Sequence, residues 1–342
     1  MPTRRTLLAG ATASLVVGAC SRISNAVEPA SGQIMIERLD ARLDALISPD
    51  ATADLLGTGY QWAEGPAWDR RRSCLYFTDV PGNRAYRWRP GGDVETWLDP
   101  SGIPASEAAG FREPGANGLW MRADGQLLAC IHGTRSVVSI DPDSQVRTPL
   151  ATAFAGQRFN SPNDLVEAAD GTIYFTDPPY GLAGLDASPL KEMAANGVYR
   201  RRPTGEIERL LDDMTFPNGI ALSPDERRLY VAQSDPEAQM IRVLGLDPAG
   251  AVESDAIFFN AEGLDGPGLP DGMAVDRTGN LFATGPGGIL VLGPDGALLG
   301  RILTGRGTAN CAFGGEGGGE LFITAQDRLL RVETRSRGVQ WS

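Results

Sequence analysis

The amino-acid sequence predicts an all-β fold, a six-bladed β-propeller, from two observations. One unit of short strands and tight turns recurs six times along the 342 residues, and a polar residue stands at nearly the same place in every unit. Repetition of a strand-and-turn unit at intervals of about 40 to 50 residues is typical of propeller blades. In such a fold each unit forms its own small antiparallel sheet, and the sheets pack around a common axis.

The centre of each unit is an apolar strand that follows a turn, which in most units contains Asp or Gly. These strand cores are residues 75–79, 127–130, 173–177, 229–232, 281–284 and 321–324. A shorter strand precedes each turn, at residues 66–68, 119–121, 165–167, 220–222, 273–275 and 312–313. A further apolar strand often follows, as at residues 85–88, 137–140, 198–200 and 289–292. Each unit therefore supplies three to four strands, which is the content of one blade.

Sustained helical periodicity is confined to one stretch, residues 36–47. Hydrophobic residues make up 42% of the chain, which is enough for a sizeable core. A β-sandwich or a two-domain arrangement is the alternative for a chain of many short strands. Six aligned units argue against both, so we predict a single propeller domain over residues 27–342.

The chain is acidic, with a formal net charge of −12. Nucleic acid is therefore not expected as a partner, because phosphate binding requires a basic surface. An acidic chain suits cations or neutral small molecules better. Nothing in the sequence indicates an oligomeric state.

Residues 1–26 have the features of a bacterial export signal. Arg4 and Arg5 precede a short apolar run at residues 7–17, and the pair resembles a twin-arginine signal. The segment that ends at Cys20 also resembles a lipobox, in which that cysteine would carry a lipid anchor. We therefore expect an exported, periplasmic protein, held at the membrane as a lipoprotein if Cys20 is lipidated.

The remaining cysteines, Cys74, Cys130 and Cys311, each lie in or beside an apolar run. Their spacing matches no zinc-binding pattern and contains no CxxC. We predict that they are buried free thiols.

One polar residue, the head residue of its unit, stands directly before the first strand and 10 or 11 residues before the strand core. The six head residues are Glu64, Asn117, Asn163, Asn218, Asp271 and Asn310. Because the innermost strand of a blade lines the propeller axis, a fixed register places all six head residues around one point. Glycine follows the head residue in four of the six units, which allows close approach of neighbouring backbones.

This ring of two carboxylates and four amides predicts a central divalent-metal site. Converging carboxylates repel each other unless one is protonated or a cation lies between them. Carboxylate and amide oxygens are hard ligands, so one Ca²⁺ is the best candidate, with Mg²⁺, Mn²⁺ or Zn²⁺ as alternatives. Taken singly, each of these residues could be an ordinary turn or strand-cap residue, and Asn310 is the weakest member of the set.

Five segments of the chain resemble the gluconolactonase family that includes regucalcin. They are WAEGP at 62–66, NSPNDLV at 160–166, YFTDP at 174–178, FPNGIA at 216–221 and LPDGM at 269–273. The resemblance spans about residues 50–330 and implies a six-bladed propeller with one catalytic divalent metal. It places the metal ligands at Glu64, Asn218 and Asp271. It also implies that Asn163 holds the substrate or completes the coordination, a plan similar to that of paraoxonases and squid-type phosphotriesterases.

In a lactonase of this plan, the metal polarises the lactone carbonyl and water attacks it. Asp271 is the first candidate for the general base. His132 is the only histidine of the chain and is the second candidate for acid–base chemistry or a substrate hydrogen bond. A structural role for this histidine is the alternative.

Candidate substrate contacts come from the ring and from nearby loops. We predict substrate-binding roles for Asn117, Arg158, Asn160 and Tyr180. Two insertions, at residues 102–115 and 178–196, are candidates for the walls of the pocket. The alternative is that both insertions are solvated surface loops.

The resulting hypothesis is a hydrolase that opens a sugar lactone such as glucono-1,5-lactone. A metal-dependent esterase or phosphotriesterase with another substrate is one alternative, because fold and metal do not determine the substrate. A non-catalytic binding propeller with a structural ion is the other. A metal position open to solvent would favour catalysis over the structural role.

Overall fold

The computed structural model of the protein describes residues 34–341, and these form the predicted six-bladed β-propeller. The predicted export signal at residues 1–26, including Cys20, lies outside the described residues. The N-terminal strands are β1 (Met35–Arg38) and β2 (Ala53–Thr58). All helices in the described part of the chain are short 3₁₀ turns (Ala41–Ala45, Ala105–Glu107, Leu185–Ala187 and Val339–Trp341), and none has the length and apolar character needed to cross a membrane.

Each blade is an antiparallel sheet of four or five strands; its consecutive strands run from the innermost outward, and blades 5 and 6 gain an outer strand from the N-terminal segment. Blade 1 contains β3 (Ala63–Asp69), β4 (Cys74–Asp79), β5 (Arg84–Trp88) and β6 (Glu95–Leu98). Blade 2 contains β7 (Ala116–Met121), β8 (Leu127–Ile131), β9 (Ser136–Ile140) and β10 (Arg147–Ala151). A small hairpin of β11 (Ala153–Phe154) and β12 (Gln157–Arg158) leads to blade 3.

Blades 3 to 6 repeat this plan. Blade 3 contains β13 (Leu165–Glu167), β14 (Ile173–Asp177), β15 (Gly197–Arg201) and β16 (Ile207–Leu211). Blade 4 contains β17 (Pro217–Leu222), β18 (Arg228–Gln233), β19 (Met240–Leu246) and β20 (Val252–Asn260). Blade 5 contains β21 (Met273–Val275), β22 (Leu281–Gly285), β23 (Gly288–Leu292), β24 (Leu298–Leu303) and, at its outer edge, β1. Blade 6 contains β25 (Thr308–Gly314), β26 (Glu320–Ala325), β27 (Arg328–Glu333) and β2.

The ring is closed by a strand from the other end of the chain. β2 pairs antiparallel with β27 and forms the outer strand of blade 6, immediately before the chain enters blade 1. An ion pair between Asp54 and Arg331, at 2.6 Å, lies on this seam. The last blade is therefore completed by a strand that directly precedes the first blade, so the two ends of the chain are held together within the sheet of blade 6.

The helical periodicity of residues 36–47 does not produce an α-helix. The segment instead contains most of β1 and the 3₁₀ helix Ala41–Ala45, because Asp40 interrupts it and accepts a hydrogen bond from the Arg42 N–H at 2.8 Å. Leu43 and Ile47 are fully buried against blades 5 and 6. Their spacing reflects packing of an irregular segment onto the propeller.

Apolar side chains fill the spaces between neighbouring blades. Six clusters of buried residues occupy the described propeller, one at each interface between blades. The interface that closes the ring, for example, packs Phe77 and Trp88 of blade 1 against Phe322 and Leu329 of blade 6. Cys74, Cys130 and Cys311 lie in three of these clusters as buried free thiols, which confirms the prediction.

Glycine allows the innermost strands to approach the axis closely. A Cβ atom at Gly219 would lie 2.1 Å from the carbonyl oxygen of Asp271, in the next blade. A Cβ atom at Gly65 would likewise lie 2.2 Å from the carbonyl oxygen of Asn117. The glycine that follows a head residue thus packs directly on the head residue of the next blade.

Gly219→Ala tests this packing. The added methyl group collides with a backbone oxygen, so we expect the free energy of unfolding to fall by about 1–3 kcal/mol. Denaturant unfolding measures the change. Gly317→Ala is the control, because a Cβ atom there has no neighbour within 4 Å, and its effect should stay within about 0.5 kcal/mol. Equal stabilities of the two variants would contradict the close contact.

Candidate functional site

The six head residues meet at the propeller axis, as their register predicts. Five of them are buried, with exposed fractions of 3–6%, and Asp271 is partly exposed. Threonines on the second strands hold the backbone of this ring. Thr78 donates to the carbonyl oxygen of Asn117 at 3.0 Å, and Thr176 donates to that of Asn218 at 2.7 Å. Neighbouring blades are therefore joined by hydrogen bonds at the ring itself.

The loop that leads into a head residue is anchored by the last residue of the second strand in blades 1, 3 and 4. There a side-chain oxygen of Asp79, Asp177 or Gln233 accepts hydrogen bonds from backbone N–H groups two or three residues before the head residue. The donors are Gln61 and Trp62 at 3.0 and 3.1 Å, Asn160 and Ser161 at 2.8 Å each, and Phe216 at 3.1 Å. This repeated anchor keeps the ring rigid.

Two ring amides present their oxygens to the channel. The Asn218 amide nitrogen donates to Ser234 Oγ at 2.9 Å, and this hydroxyl must accept the bond because it donates its own proton to the carbonyl of Pro270. Asn117 Nδ2 lies 3.4 Å from His132 Nε2. The Oδ1 atoms of Asn117 and Asn218 are buried without a hydrogen-bond partner in the described structure.

Asn310 is oriented the other way. Its Oδ1 accepts the Cys311 N–H at 2.8 Å, and its Nδ2 points to Asp164 Oδ2 at 3.4 Å. Asn310 therefore acts as a hydrogen-bond donor to carboxylates and offers no free oxygen ligand, in line with its place as the weakest member of the predicted set.

Three carboxyl groups act on one another at the axis. Burial raises the pKa of Glu64 to about 8, and repulsion from Asp164 adds to the shift. Burial also raises the pKa of Asp164, to about 6. The pKa of Asp271 lies well above its ordinary value because of burial and then the nearby Glu64 and Asp164. Without a compensating cation, these groups cannot all be ionised at neutral pH.

The ring fits a hard divalent cation. Among the described residues, no three His, Cys, Asp or Glu side chains form a metal-binding cluster by themselves, so a cation would need amide oxygens as well. The unpaired oxygen of Asn218 is such a ligand beside the repelling carboxylates of Glu64 and Asp271, and the unpaired oxygen of Asn117 belongs to the same ring. This mixture suits Ca²⁺, which accepts many oxygen ligands in flexible geometry.

Aromatic side chains stand beside the ring. Tyr180 stacks on Phe216 with ring centroids 5.6 Å apart. Burial and then the charge of Asp271 raise the pKa of the Tyr180 hydroxyl, which lies near Ser234 and Asn218. The structure thus brings Tyr180, predicted to bind substrate, next to the ring.

Two other predicted substrate contacts have protein partners. Asn160 is fully buried, and its amide nitrogen donates to the Asp177 carbonyl at 3.0 Å, with further bonds to Ala195 and Asn196. This donor is therefore committed to the protein. Arg158 is exposed on β12, where its guanidinium donates to the Thr134 carbonyl at 3.2 Å, and none of its hydrogen-bond partners belongs to the ring.

The two insertions pack against each other at residues 110–112 and 181–183. Phe111 and Leu182 form an antiparallel bridge, and the Arg112 N–H donates to the Gly181 carbonyl at 2.8 Å. Tyr180 belongs to the second insertion and lies next to the ring. The junction of the two insertions therefore forms part of a wall at the end of the channel where the innermost strands begin.

The second catalytic candidate, His132, is fully buried behind this wall. Burial lowers its pKa to about 3, so the imidazole is neutral at physiological pH. On one side of the ring, Nε2 lies 3.4 Å from Asn117 Nδ2; on the other side, Nδ1 is buried without a hydrogen-bond partner in the described structure, and Glu113 Oε2 lies 3.8 Å away.

A cavity lies on the opposite side of the ring. It has a volume of about 920 Å³ and opens toward the turns that join first and second strands. Its walls come from the innermost strands of all six blades, including Ala67, Leu119, Val166, Ile220, Met273 and Phe313. Asp164 and Asn310 close its inner end, and Gly338–Gln340 line its mouth. The aromatic wall and this cavity therefore face different ends of the channel.

Three residues of the site were not predicted from the sequence. Asp164 follows its head residue at the position where four other units have glycine, and this difference is the one feature of the sequence that points to it. Ser234 orients Asn218, and Glu113 approaches His132 at 3.8 Å, but neither belongs to a recognisable motif.

Comparison with known proteins agrees with the fold. The SMP-30/gluconolactonase/LRE-like region matches residues 62–327. The gluconolactonase of Zymomonas mobilis is 42% identical over 89% of this chain and 87% of its own length. The L-arabinolactonase of Azospirillum brasilense is 29% identical over 82% of this chain and 86% of its own. The structure of a gluconolactonase from Xanthomonas campestris superimposes with a TM-score of 0.76 and 34% identity, over 87% of this chain and 94% of that protein. On these grounds the chain belongs to the SMP-30/gluconolactonase/LRE-like family.

Proposed function

We propose that this protein is a lactonase that uses one divalent cation to hydrolyse a sugar lactone of the glucono-1,5-lactone type. The observation that carries the proposal is the ring, in which repelling carboxylates and unpaired amide oxygens face one channel. Membership in a family with gluconolactonases supports the sugar lactone as substrate.

The residues proposed to hold the cation are Glu64, Asn163, Asn218 and Asp271, with Ca²⁺ as the preferred ion. When bound, a divalent cation polarises the lactone carbonyl and compensates the negative charge that develops on its oxygen. The amide of Asn218 is held in the required orientation by Ser234, so its oxygen needs no reorientation when a ligand arrives. The unpaired oxygen of Asn117 faces the same channel and is available to water or substrate.

Asp271 is the proposed general base. It is the most exposed member of the ring, so a water molecule can approach it. In the reaction, the water oxygen forms a bond to the lactone carbonyl carbon while Asp271 takes one proton. The ester C–O bond then breaks, and the proton passes to the leaving ring oxygen, which gives the open hydroxy acid.

Tyr180 is proposed to bind the substrate. Because its pKa is raised by burial, the hydroxyl stays protonated and can donate a hydrogen bond to a sugar oxygen. His132 is fully buried, and its direct part in acid–base chemistry stays a prediction.

We also propose that the chain is exported to the periplasm by residues 1–26, with lipidation at Cys20 as a means of anchoring it to the membrane. The proposal rests on Arg4 and Arg5 ahead of the apolar run at residues 7–17.

Metal removal tests the function directly. Hydrolysis of glucono-1,5-lactone, followed in a pH-stat, should fall to the spontaneous rate after chelation and return when Ca²⁺ is added. The metal content of each sample is measured in parallel. Activity that persists in metal-free protein would contradict metal dependence. Absence of activity in metal-loaded protein would exclude this lactone and favour another ester or a binding role.

Asp271→Asn removes the proposed base while keeping the size of the side chain. We expect the rate constant for lactone hydrolysis to fall by about 10²–10⁴-fold. Asp295→Asn, an exposed aspartate of blade 5, serves as the control and should leave the rate unchanged. Thermal unfolding shows whether both variants fold. A near-normal rate in folded, metal-loaded Asp271→Asn would remove this residue from the mechanism.

The stability of the metal-free protein should decrease as pH rises. Burial raises the pKa of Glu64 from 4.5 to about 8, so the folded state binds this proton more tightly than the unfolded state. This contribution is full below about pH 4.5 and is lost as pH rises through 8. Between pH 5 and 8 we expect the Tm of the metal-free protein to fall by at least about 3 °C, and Ca²⁺ to restore it at pH 8.

Glu64→Gln is the control for this pH dependence, since other acidic groups also contribute to it. The variant should show a smaller fall in Tm over the same interval. An equal fall in both proteins would show that Glu64 is not the group responsible.

A further inference from the structure

An ion pair in the wall of the site has no role in the function proposed above. Arg112 Nε donates to Glu113 Oε1 at 2.9 Å. The Glu113 side chain is only 15% exposed, although it belongs to the insertion between β6 and β7. A carboxylate is costly to bury unless it is paired, so its position calls for an explanation.

The backbone around Glu113 is tightly held. The Gly181 carbonyl accepts the Arg112 N–H at 2.8 Å, and the Pro114 carbonyl accepts the Gly133 N–H at 3.2 Å. A Cβ atom at Gly133 would lie 2.6 Å from that same carbonyl oxygen. These contacts leave the carboxylate little freedom to move away from blade 2.

His132 receives this carboxylate on one side of its ring. Glu113 Oε2 lies 3.8 Å from His132 Nδ1, too far for a hydrogen bond, and Nδ1 is buried without a hydrogen-bond partner in the described structure; the backbone of Glu113 lies on the same side of the ring. A Cβ atom at Gly181 would lie 2.6 Å from His132 Cβ, so the insertion packs directly on the histidine. Because the Glu113 carboxylate, paired with Arg112, is the charged group on this side of the ring, it favours an N–H over a lone pair at Nδ1, and the single proton of the neutral imidazole is assigned to Nδ1.

The other nitrogen of the His132 ring, Nε2, then determines the orientation of the Asn117 amide. An unprotonated Nε2 is an acceptor, and it lies 3.4 Å from Asn117 Nδ2. This contact places the amide nitrogen toward His132 and the amide oxygen toward the channel, where Oδ1 has no protein partner. A proton on Nε2 would oppose the NH₂ group and favour the flipped amide, which presents hydrogens to the channel.

We propose that Glu113 is a positioning residue: it selects the Nδ1–H tautomer of His132 and thereby turns the Asn117 amide oxygen into the channel. The consequence for catalysis rests on the proposed lactonase function, whereas the tautomer does not. Arg112 holds the carboxylate in place at the outer side.

The tautomer can be read directly, because His132 is the only histidine in the chain. Protein without a histidine tag, labelled with ¹⁵N-histidine and loaded with Ca²⁺, gives one pair of ring nitrogen signals. We expect Nδ1 to be of the protonated type and Nε2 of the unprotonated type in long-range ¹H–¹⁵N spectra. A protonated Nε2 in the wild-type protein would overturn the proposal, with or without lactonase activity.

Glu113→Gln tests the role of the carboxylate. The variant should show a mixture of the two tautomers and a loss of lactone hydrolysis of about tenfold. Glu95→Gln is the matched control, since Glu95 also pairs with arginines but lies on the exposed edge of blade 1, and it should change neither readout.

The two readouts separate the possible failures. Wild-type spectra and wild-type activity in Glu113→Gln would show that the backbone of Glu113 suffices, and would overturn the proposal while leaving the lactonase function intact. A changed tautomer in a protein without lactonase activity would support the positioning role and contradict the proposed function. If Glu113→Gln does not fold, Arg112→Met provides the same test by releasing the carboxylate.

Discussion

The close packing of six innermost strands around one axis is the constraint on which this structure depends. Strand backbones meet there at distances that exclude a side chain, as the contact of Gly219 with Asp271 shows. The residue before each of these glycines lies at the axis, next to the head residues of the other blades. A polar residue at that place is buried, yet faces five similar neighbours, and this arrangement concentrates carboxylates and amides at one point.

The chemistry of the site follows from how each ring member is satisfied. Carboxylates that repel one another make a cation the favoured occupant, and amides contribute to its site only if their oxygens are free. Blades 2 and 4 leave the amide oxygen free in the same way. His132 and Ser234 occupy equivalent positions after the second strand, and each holds the amide nitrogen of its own head residue, Asn117 or Asn218. The side chains differ, but both leave the amide oxygen in the channel.

The ring is built from a position that recurs in every blade, whereas the wall comes from two insertions outside the repeat. Two insertions meet through the backbone contact of Arg112 with Gly181, and they place Tyr180 and Glu113 on the same side of the channel. A substrate held there would contact residues that belong to no blade repeat. Discrimination among lactones is therefore expected to depend on these loops, since the ring itself offers only carboxyl and amide groups.

The sequence by itself determined the blades, the register of the head residues and the burial of the cysteines. Strand periodicity and spacing are local properties of the sequence, and the same pattern occurs in each of the six repeats. It did not determine the structure of residues 36–47, whose apolar spacing reflects packing onto blades 5 and 6. Nor did it determine which way a ring amide faces. Asn310 turns its nitrogen to Asp164, 146 residues away in the chain, and Glu113 reaches the site through an insertion that docks on Gly181. Only the tertiary structure decided these features, because hydrogen-bond direction depends on partners that come together when the ring closes.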